Sequence, residues 1–292
     1  MVSGNSNNFK DYLKLIRFSH WIKNLLILTP SILAKNFTED LNWLYLIIGF
    51  LSFSFISSSG YILNDIRDID RDRLHPLKMK RPLATAKVKV SFSFMLSQLL
   101  MIAGMILTIS LGIIPFIILL SYFIVNWFYS NVIKSIRFLD IIFLSVFYII
   151  RLFFGATIAH NELTGWFLIT VIFACIGFLL NKRQIECSLI SQHKVPGRDY
   201  SKDDLVFLQI MAIAFGIISL VIFDIHAYFV VLIKDPLILT AMNLTALFLI
   251  LSFFDDSRIQ EDDPIERILR SPANIIMSLI FLSLYFIELY FH

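Results

Sequence analysis

Residues 41–63 read LNWLYLIIGFLSFSFISSSGYIL, and residues 64–72, which follow them, read NDIRDIDRD. The first stretch carries no charge and exceeds the roughly 20 residues that a helix needs to cross a bilayer core. The second packs Asp65, Asp68, Asp70 and Asp72 beside Arg67 and Arg71. A change from unbroken apolar to densely charged sequence is where a membrane helix emerges into water. The emerging segment is therefore the first place to look for chemistry.

The composition agrees. Of 292 residues, 58% are hydrophobic and 16% charged, and the mean hydropathy is +0.77, which is too apolar for a soluble domain of this length. Nine stretches qualify as spans: roughly 17–36, 41–63, 92–111, 113–129, 138–159, 164–181, 205–223, 236–254 and 273–291. Lys23 and Pro30 interrupt the first, and the eighth could begin earlier, in HAYFVVLI (226–233). The expected fold is all-α, a bundle of about nine transmembrane helices. It is expected to form one domain over residues 1–292, since no linker or low-complexity stretch divides it. The opening MVSGNSNNFKDYLKLI is too polar for the core of a signal peptide, so the first span is expected to be retained and the mature chain to start near Met1. Cys175 and Cys187 are too few for a disulfide framework and lack zinc spacing.

Basic residues accumulate in short cytoplasmic loops. With the N-terminus inside, nine spans place 22 of the 25 lysines and arginines on the cytoplasmic side. Lys35 and Lys234 fall outside, and Arg151 lies within the fifth span. A wrong span number would scatter these charges. The expected location is thus the inner (plasma) membrane, with the N-terminus and the active site facing the cytoplasm. This placement also explains the net charge of +3 without a nucleic-acid partner. Two long inside loops, 64–91 and 181–204, follow spans two and six, an offset of four helices that hints at a pseudo-repeat.

If the second span stays helical past Leu63, Asp65, Asp68 and Asp72 fall at i, i+3 and i+7 on one face. Carboxylates so placed repel one another unless a cation sits among them, and Mg²⁺ bridging to a diphosphate is the usual occupant. The plain alternative is a solvated helix end whose acids pair with Arg67, Arg71 and Arg73. Asp70 alone suits that alternative.

The pattern N-D-x-x-D-x-x-x-D at the cytoplasmic end of a second span resembles the first aspartate motif of the UbiA superfamily of intramembrane prenyltransferases. The resemblance implies nine helices, Mg²⁺ as cofactor, and a donor diphosphate bound through Asn64, Asp65, Asp68 and Asp72. Asp65, Asp68 and Asp72 would be both the metal ligands and the catalytic acids. The usual second aspartate motif, after span six, is replaced here by NKRQIECSLI (181–190), with Lys182 and Arg183 where acids would stand and Glu186 one turn on. A basic pair there favours direct binding of a further anionic group, although anchoring of span six by positive charge would also explain it.

That departure, with the segment NDIRDIDRDRLHPLKMKRPLA (64–84), is similar to the decaprenyl-phosphate phosphoribosyltransferase branch. RFSHWIKNLLIL (17–28), YIIRLFFGA (148–156), NKR with Glu186, and DDPIERILR (262–270) extend the likeness in order along the chain. The branch tends to show an Asp-Arg pair where Ser271 and Pro272 stand here. The resemblance implies transfer of phosphoribose from phosphoribosyl pyrophosphate to a polyprenyl phosphate. Lys78, Arg81, Lys182, Arg183 and Glu186 are the candidates for the donor, together with Asn64. Lys23, Asn24, Tyr129, Lys134 and Arg151 are the candidates for the lipid acceptor. Arg151 lies deep in span five and should face the bundle interior or a wet cavity. His75 is expected to shape the turn before Pro76. Two rivals remain: an aromatic prenyltransferase using a prenyl diphosphate, whose second acidic motif is missing, and a transporter, which would carry its charge near the midplane.

Overall fold

The computed structural model describes residues 9–33, 43–75, 78–189, 193–231, 233, 235–252 and 271–291. Helices make up almost all of them, and among the described residues there is no strand, only a single bridge between Lys194 and Ser201. The helices are α1 (Phe9–Leu15), α2 (Thr29–Leu33), α3 (Trp43–Arg67), α4 (Ile69–Arg73), α5 (Val90–Ile109), α6 (Ile113–Asn131), α7 (Leu139–Ala159), α8 (Gly165–Leu189), α9 (Leu205–His226), α10 (Pro236–Ser252) and α11 (Pro272–Phe291). Seven helices among the described residues are long and apolar enough to cross a membrane, and α10 is a shorter apolar helix. The chain is a multi-pass membrane protein.

Three details of the spans differ from expectation. The first, expected as one helix over 17–36, is a 3-10 helix (Phe18–Leu28) followed by the short α2, with residues 34–36 outside the described set. Pro30 lacks the N–H that would carry a helix through this point. The stretch HAYFVVLI does not open the eighth span. It continues α9 as a π-helical turn, Ala227–Val231. The sixth span is longer than its apolar run, because Asn181–Leu189 remains helical with Arg183 and Glu186 buried against partners described below. The segment DDPIERILR lies outside the described residues.

The chain divides into two compact units, and one of the boundaries between them falls inside α7. Residues 1–136 and 150–162 form the first unit, and residues 137–149 and 163–292 the second. In the first, α3 packs along α5, with α6 and the 3-10 segment beside it. Gly104 lets α5 approach closely, since a Cβ there would lie 2.9 Å from the Ser52 carbonyl. Serines on α3 hold the 3-10 segment. Trp21 Nε1 donates to Ser58 Oγ at 2.9 Å, Ser58 Oγ donates to the Ile16 carbonyl at 2.7 Å, and Asn24 Nδ2 donates to Ser54 Oγ at 2.9 Å. Below the aspartate segment a small core of Leu15, Ile62, Leu83 and Val88 ties α1 and the loop after α4 to the end of α3. In the second unit α8 packs along α9, with Gly177 against the backbone of Ala212 and Gly216, and α10 packs along α11. Outer faces such as Ile106 (62% exposed) and Leu237 (78%) present apolar surface, as expected where lipid is the solvent.

Candidate functional site

The helix that carries the aspartates bends without breaking. α3 ends at Arg67 and Asp68 departs from helical geometry (φ −95°, ψ 10°). The amide of Asp68 still donates to the Asn64 carbonyl at 3.0 Å, and that of Asp72 to the Asp68 carbonyl at 2.8 Å. The one-face reading therefore holds across the bend. Asp65 and Asp72 are buried, the Asp68 side chain is 14% exposed, and the Asp70 side chain, 94% exposed, points away and pairs with Arg73 at 3.1 Å.

The three inward aspartates are held by cations from other segments. Arg81 Nη1 lies 3.1 Å from Asp65 and 2.7 Å from Asp72, so one guanidinium bridges both carboxylates. Asp65 is also paired with Arg17. Arg17 adopts a left-handed conformation (φ 52°) at the break between α1 and the 3-10 segment, and its guanidinium lies 4.7 Å from the centre of the Tyr61 ring. An arginine in that region of φ is strained, and the turn places its charge on Asp65. Lys134 Nζ reaches both oxygens of Asp68, at 2.6 and 2.8 Å, and Asn64 Oδ1 at 3.3 Å. Burial pushes the Asp72 carboxyl above the usual range, with Arg81 opposing the shift.

Lys134, grouped from sequence with the lipid candidates, thus sits among the donor candidates, and Arg17 joins a site for which sequence reasoning had not named it. Lys78 lies close to Asp72, and its amide donates to His75 Nδ1 at 3.4 Å, which fits the turn-shaping role of His75. Pro76 is outside the described residues. Among the described residues no three acids or imidazoles form a ready-made metal cluster, because Asp65 and Asp72 meet at Arg81 while Asp68 meets Lys134. The donor chemistry nonetheless fits Mg²⁺. The groups are hard oxygens on one face, two of them already sharing a single cationic partner.

A second buried network lies in the second unit, at the end of α8. Arg183 is 1% exposed. Its Nε donates to Asp140 at 2.7 Å and its Nη1 to Glu186 at 2.7 Å. Arg198 approaches the same two acids, at 3.1 Å from Asp140 and 3.3 Å from Glu186, and Tyr200 donates its hydroxyl to Asp140 at 2.7 Å. Two acids and two arginines balance. Backbone bonds between Val195 and Tyr200 and between Lys202 and His193 close the loop that returns Arg198 and Tyr200 to the helix. Lys182 and Arg183 are therefore not an equivalent pair. Successive helical residues point about 100° apart, so Arg183 turns inward to the acids while Lys182 is only half-buried. Asp140, Arg198 and Tyr200 escaped the sequence reading. A lone acid opening an apolar span was the available signal for Asp140.

The acceptor candidates Asn24 and Arg151 meet inside the first unit. Arg151 is 3% exposed. Its Nε donates to Asn24 Oδ1 at 2.8 Å and its Nη2 to the Tyr122 hydroxyl at 3.4 Å, and its guanidinium lies 4.8 Å from the centre of the Phe53 ring. A desolvated guanidinium over an aromatic face is favoured by the ring quadrupole. Tyr129 is buried in α6, and Lys23 is half-buried on the 3-10 segment.

Residues 25–265 match the UbiA prenyltransferase family. The chain is 28% identical over 219 residues to nodulation protein NoeC of Azorhizobium caulinodans, a match covering 74% of this chain and 71% of that one. It is 30% identical over 181 residues to the decaprenyl-phosphate phosphoribosyltransferase of Mycolicibacterium smegmatis, covering 61% of this chain and 57% of that one. Its fold is similar to that of a UbiA homolog from Archaeoglobus fulgidus bound to DMAPP and Mg²⁺, with a TM-score of 0.67 at 18% identity over 96% of this chain and 99% of that one.

Proposed function

The chain belongs to the UbiA prenyltransferase family, and on that premise we propose that it transfers phosphoribose from phosphoribosyl pyrophosphate to a polyprenyl phosphate. The reaction forms a bond from a lipid phosphate oxygen to C1 of the ribose and breaks the bond from C1 to pyrophosphate. The observation that carries this reading is the arginine-centred, charge-balanced network at the end of α8, in the stretch of sequence where the resemblance would lead one to expect a second acidic motif. Similarity to the mycolicibacterial phosphoribosyltransferase supports it.

Asp65, Asp68 and Asp72 are the oxygen donors that would hold Mg²⁺, which when bound supplies positive charge to the departing pyrophosphate. Arg17, Arg81 and Lys134, now paired with these carboxylates, are the cations that exchange a carboxylate for a donor phosphate oxygen. Asn64 and Lys78 flank them. Lys182 is the residue offered to the ribose 5-phosphate, and Arg183 with Glu186 fixes the helix end from which Lys182 projects. The attacking phosphate is ionised at neutral pH, so no general base is required. Arg151 and Asn24, with Lys23 and Tyr129 on neighbouring turns, belong to the lipid side. The excess of basic residues in alternate loops supports an inner-membrane protein whose N-terminus and active site face the cytoplasm.

The test is a transfer assay with purified protein, Mg²⁺, labelled phosphoribosyl pyrophosphate and polyprenyl phosphate. Label is expected in the lipid. A parallel reaction with a prenyl diphosphate and 4-hydroxybenzoate covers the rival chemistry, and a prenylated aromatic product with no labelled lipid would overturn the proposal.

A further inference from the structure

Beside the aspartate segment, the C-terminal halves of α3 and α6 line a small open cleft. Gly60, Leu63, Asn64 and Arg67 fall at i, i+3, i+4 and i+7 on α3. Phe123, Asn126, Trp127 and Ser130 repeat the same spacing on α6, so two single-face stripes confront each other. Gly60 allows the approach, because a Cβ there would lie 2.2 Å from Asn126 Nδ2. Among the described residues no ion pair or hydrogen bond involves the side chain of Arg67, Asn126 or Ser130. An acid nearby would have been the natural partner for Arg67, yet Asp65, Asp68 and Asp72 are taken by Arg17, Arg81 and Lys134. Trp127 is 51% exposed, in keeping with an aromatic ring at the level of lipid headgroups. Asn64 faces this cleft and also binds Lys134, which holds Asp68.

The geometry points to this cleft as the docking site for the phosphate head of the membrane-borne polyprenyl acceptor, with Arg67, Asn126 and Ser130 as its ligands. This rests on the reading of the protein as a polyprenyl-phosphate transferase. The charge is complementary, since a guanidinium that no described residue engages would meet a dianionic head. The polar lining sits at the helix ends, where α3 and α6 reach the headgroup region, and Phe123 and Trp127 border the side from which an isoprenoid chain would come. Through Asn64, a phosphate docked there neighbours the residues that hold the donor. Recognition of the acceptor's phosphate head would then lie in this cleft, apart from Arg151, whose guanidinium is engaged by Asn24 and Tyr122 and serves the lipid side deeper in the bundle.

Binding of tritium-labelled decaprenyl phosphate to the whole protein in phosphatidylcholine nanodiscs tests this without recourse to catalysis. Arg67→Gln and Asn126→Leu should each raise the dissociation constant by about tenfold or more, the loss expected for a charge-assisted or buried hydrogen bond. Arg67→Lys should recover part of the loss, and decaprenol, which has no phosphate, should bind wild type and Arg67→Gln alike. Excess phosphatidylglycerol should compete poorly. If it displaces the probe at equal concentration, the cleft is a general anionic-lipid site and the proposal falls. It falls equally if both variants bind the probe as tightly as wild type. If the variants lose binding but the wild type transfers no phosphoribose, the cleft assignment stands and only the proposed reaction is wrong.

Discussion

Asp70 and Asp72 are two positions apart and meet opposite environments, one side chain 94% exposed and the other 7%. Asp65→Ala, Asp68→Ala and Asp72→Ala are expected to abolish transfer while leaving protein in the membrane, and Asp70→Ala to keep activity near wild type. Transfer assays on membranes with matched protein levels check this, and an Asp70 variant as dead as the others would contradict the face assignment. Lys182 and Arg183 should separate in the same way. Arg183→Gln leaves Asp140 and Glu186 buried with half their compensation, a cost of ~3–5 kcal/mol for a broken buried pair, so its signature is a lowered melting temperature. Lys182→Gln should lower melting less than Arg183→Gln and raise the Michaelis constant for phosphoribosyl pyrophosphate by roughly tenfold. The acids of α3 were legible in the sequence because their spacing lies within one helix. Their partners were not. Arg17 pairs with Asp65 across 48 positions, Arg183 with Asp140 across 43 and Tyr200 with Asp140 across 60, and no local period encodes such distances.

At the scale of elements, α7 carries Arg151 and Gly155 one turn apart, and both face the 3-10 segment. A Cβ on Gly155 would lie 2.0 Å from the Ile27 carbonyl oxygen, a backbone atom that cannot swing aside. Gly155→Ala should therefore push the segment outward and loosen Asn24 from Arg151, costing ~1–3 kcal/mol as overpacking does. A thermal melt in detergent would show it as a drop of several degrees, and no drop would mean that the segment is not seated as described. The loop that returns Tyr200 to Asp140 makes a different prediction. Burial and Asp140 raise the Tyr200 hydroxyl pKa above its ordinary value near 10. Its contribution is thus fully present below about pH 10 and is lost as the pH rises towards the folded value. Melting temperatures taken from pH 8 to 11 should fall more steeply for wild type than for Tyr200→Phe. Hydropathy located most of these helices to within a few residues. It failed where polar bonds rather than apolar length define the element, as in the 3-10 segment and in the last two turns of α8.

For the whole molecule, the placement of lysines and arginines predicts a sidedness, with the basic loops on the cytoplasmic face. With Cys175 and Cys187 replaced, single cysteines introduced near Lys80 and near Glu162 should label from opposite sides of sealed membrane vesicles. Labelling from one side would overturn the topology. The four-helix offset of the charged loops hinted at a pseudo-repeat, with one domain expected over the whole chain. The 25-residue helices α3 and α8 each end in a buried ion network of their own within their unit.

The serine-rich face of α3 has a consequence for biogenesis. The segment Phe18–Leu28 is a 3-10 helix bearing Lys23 and is followed at once by Pro30, so alone in lipid it would leave backbone groups and an ammonium poorly served. Its anchors, Ser54 and Ser58, are synthesised some thirty residues later. The first two spans should thus leave the translocon as a pair, the later one capturing the earlier. A nascent chain cut before residue 43 should be extractable by alkaline carbonate. One that extends past residue 75 should remain in the bilayer with both segments protected.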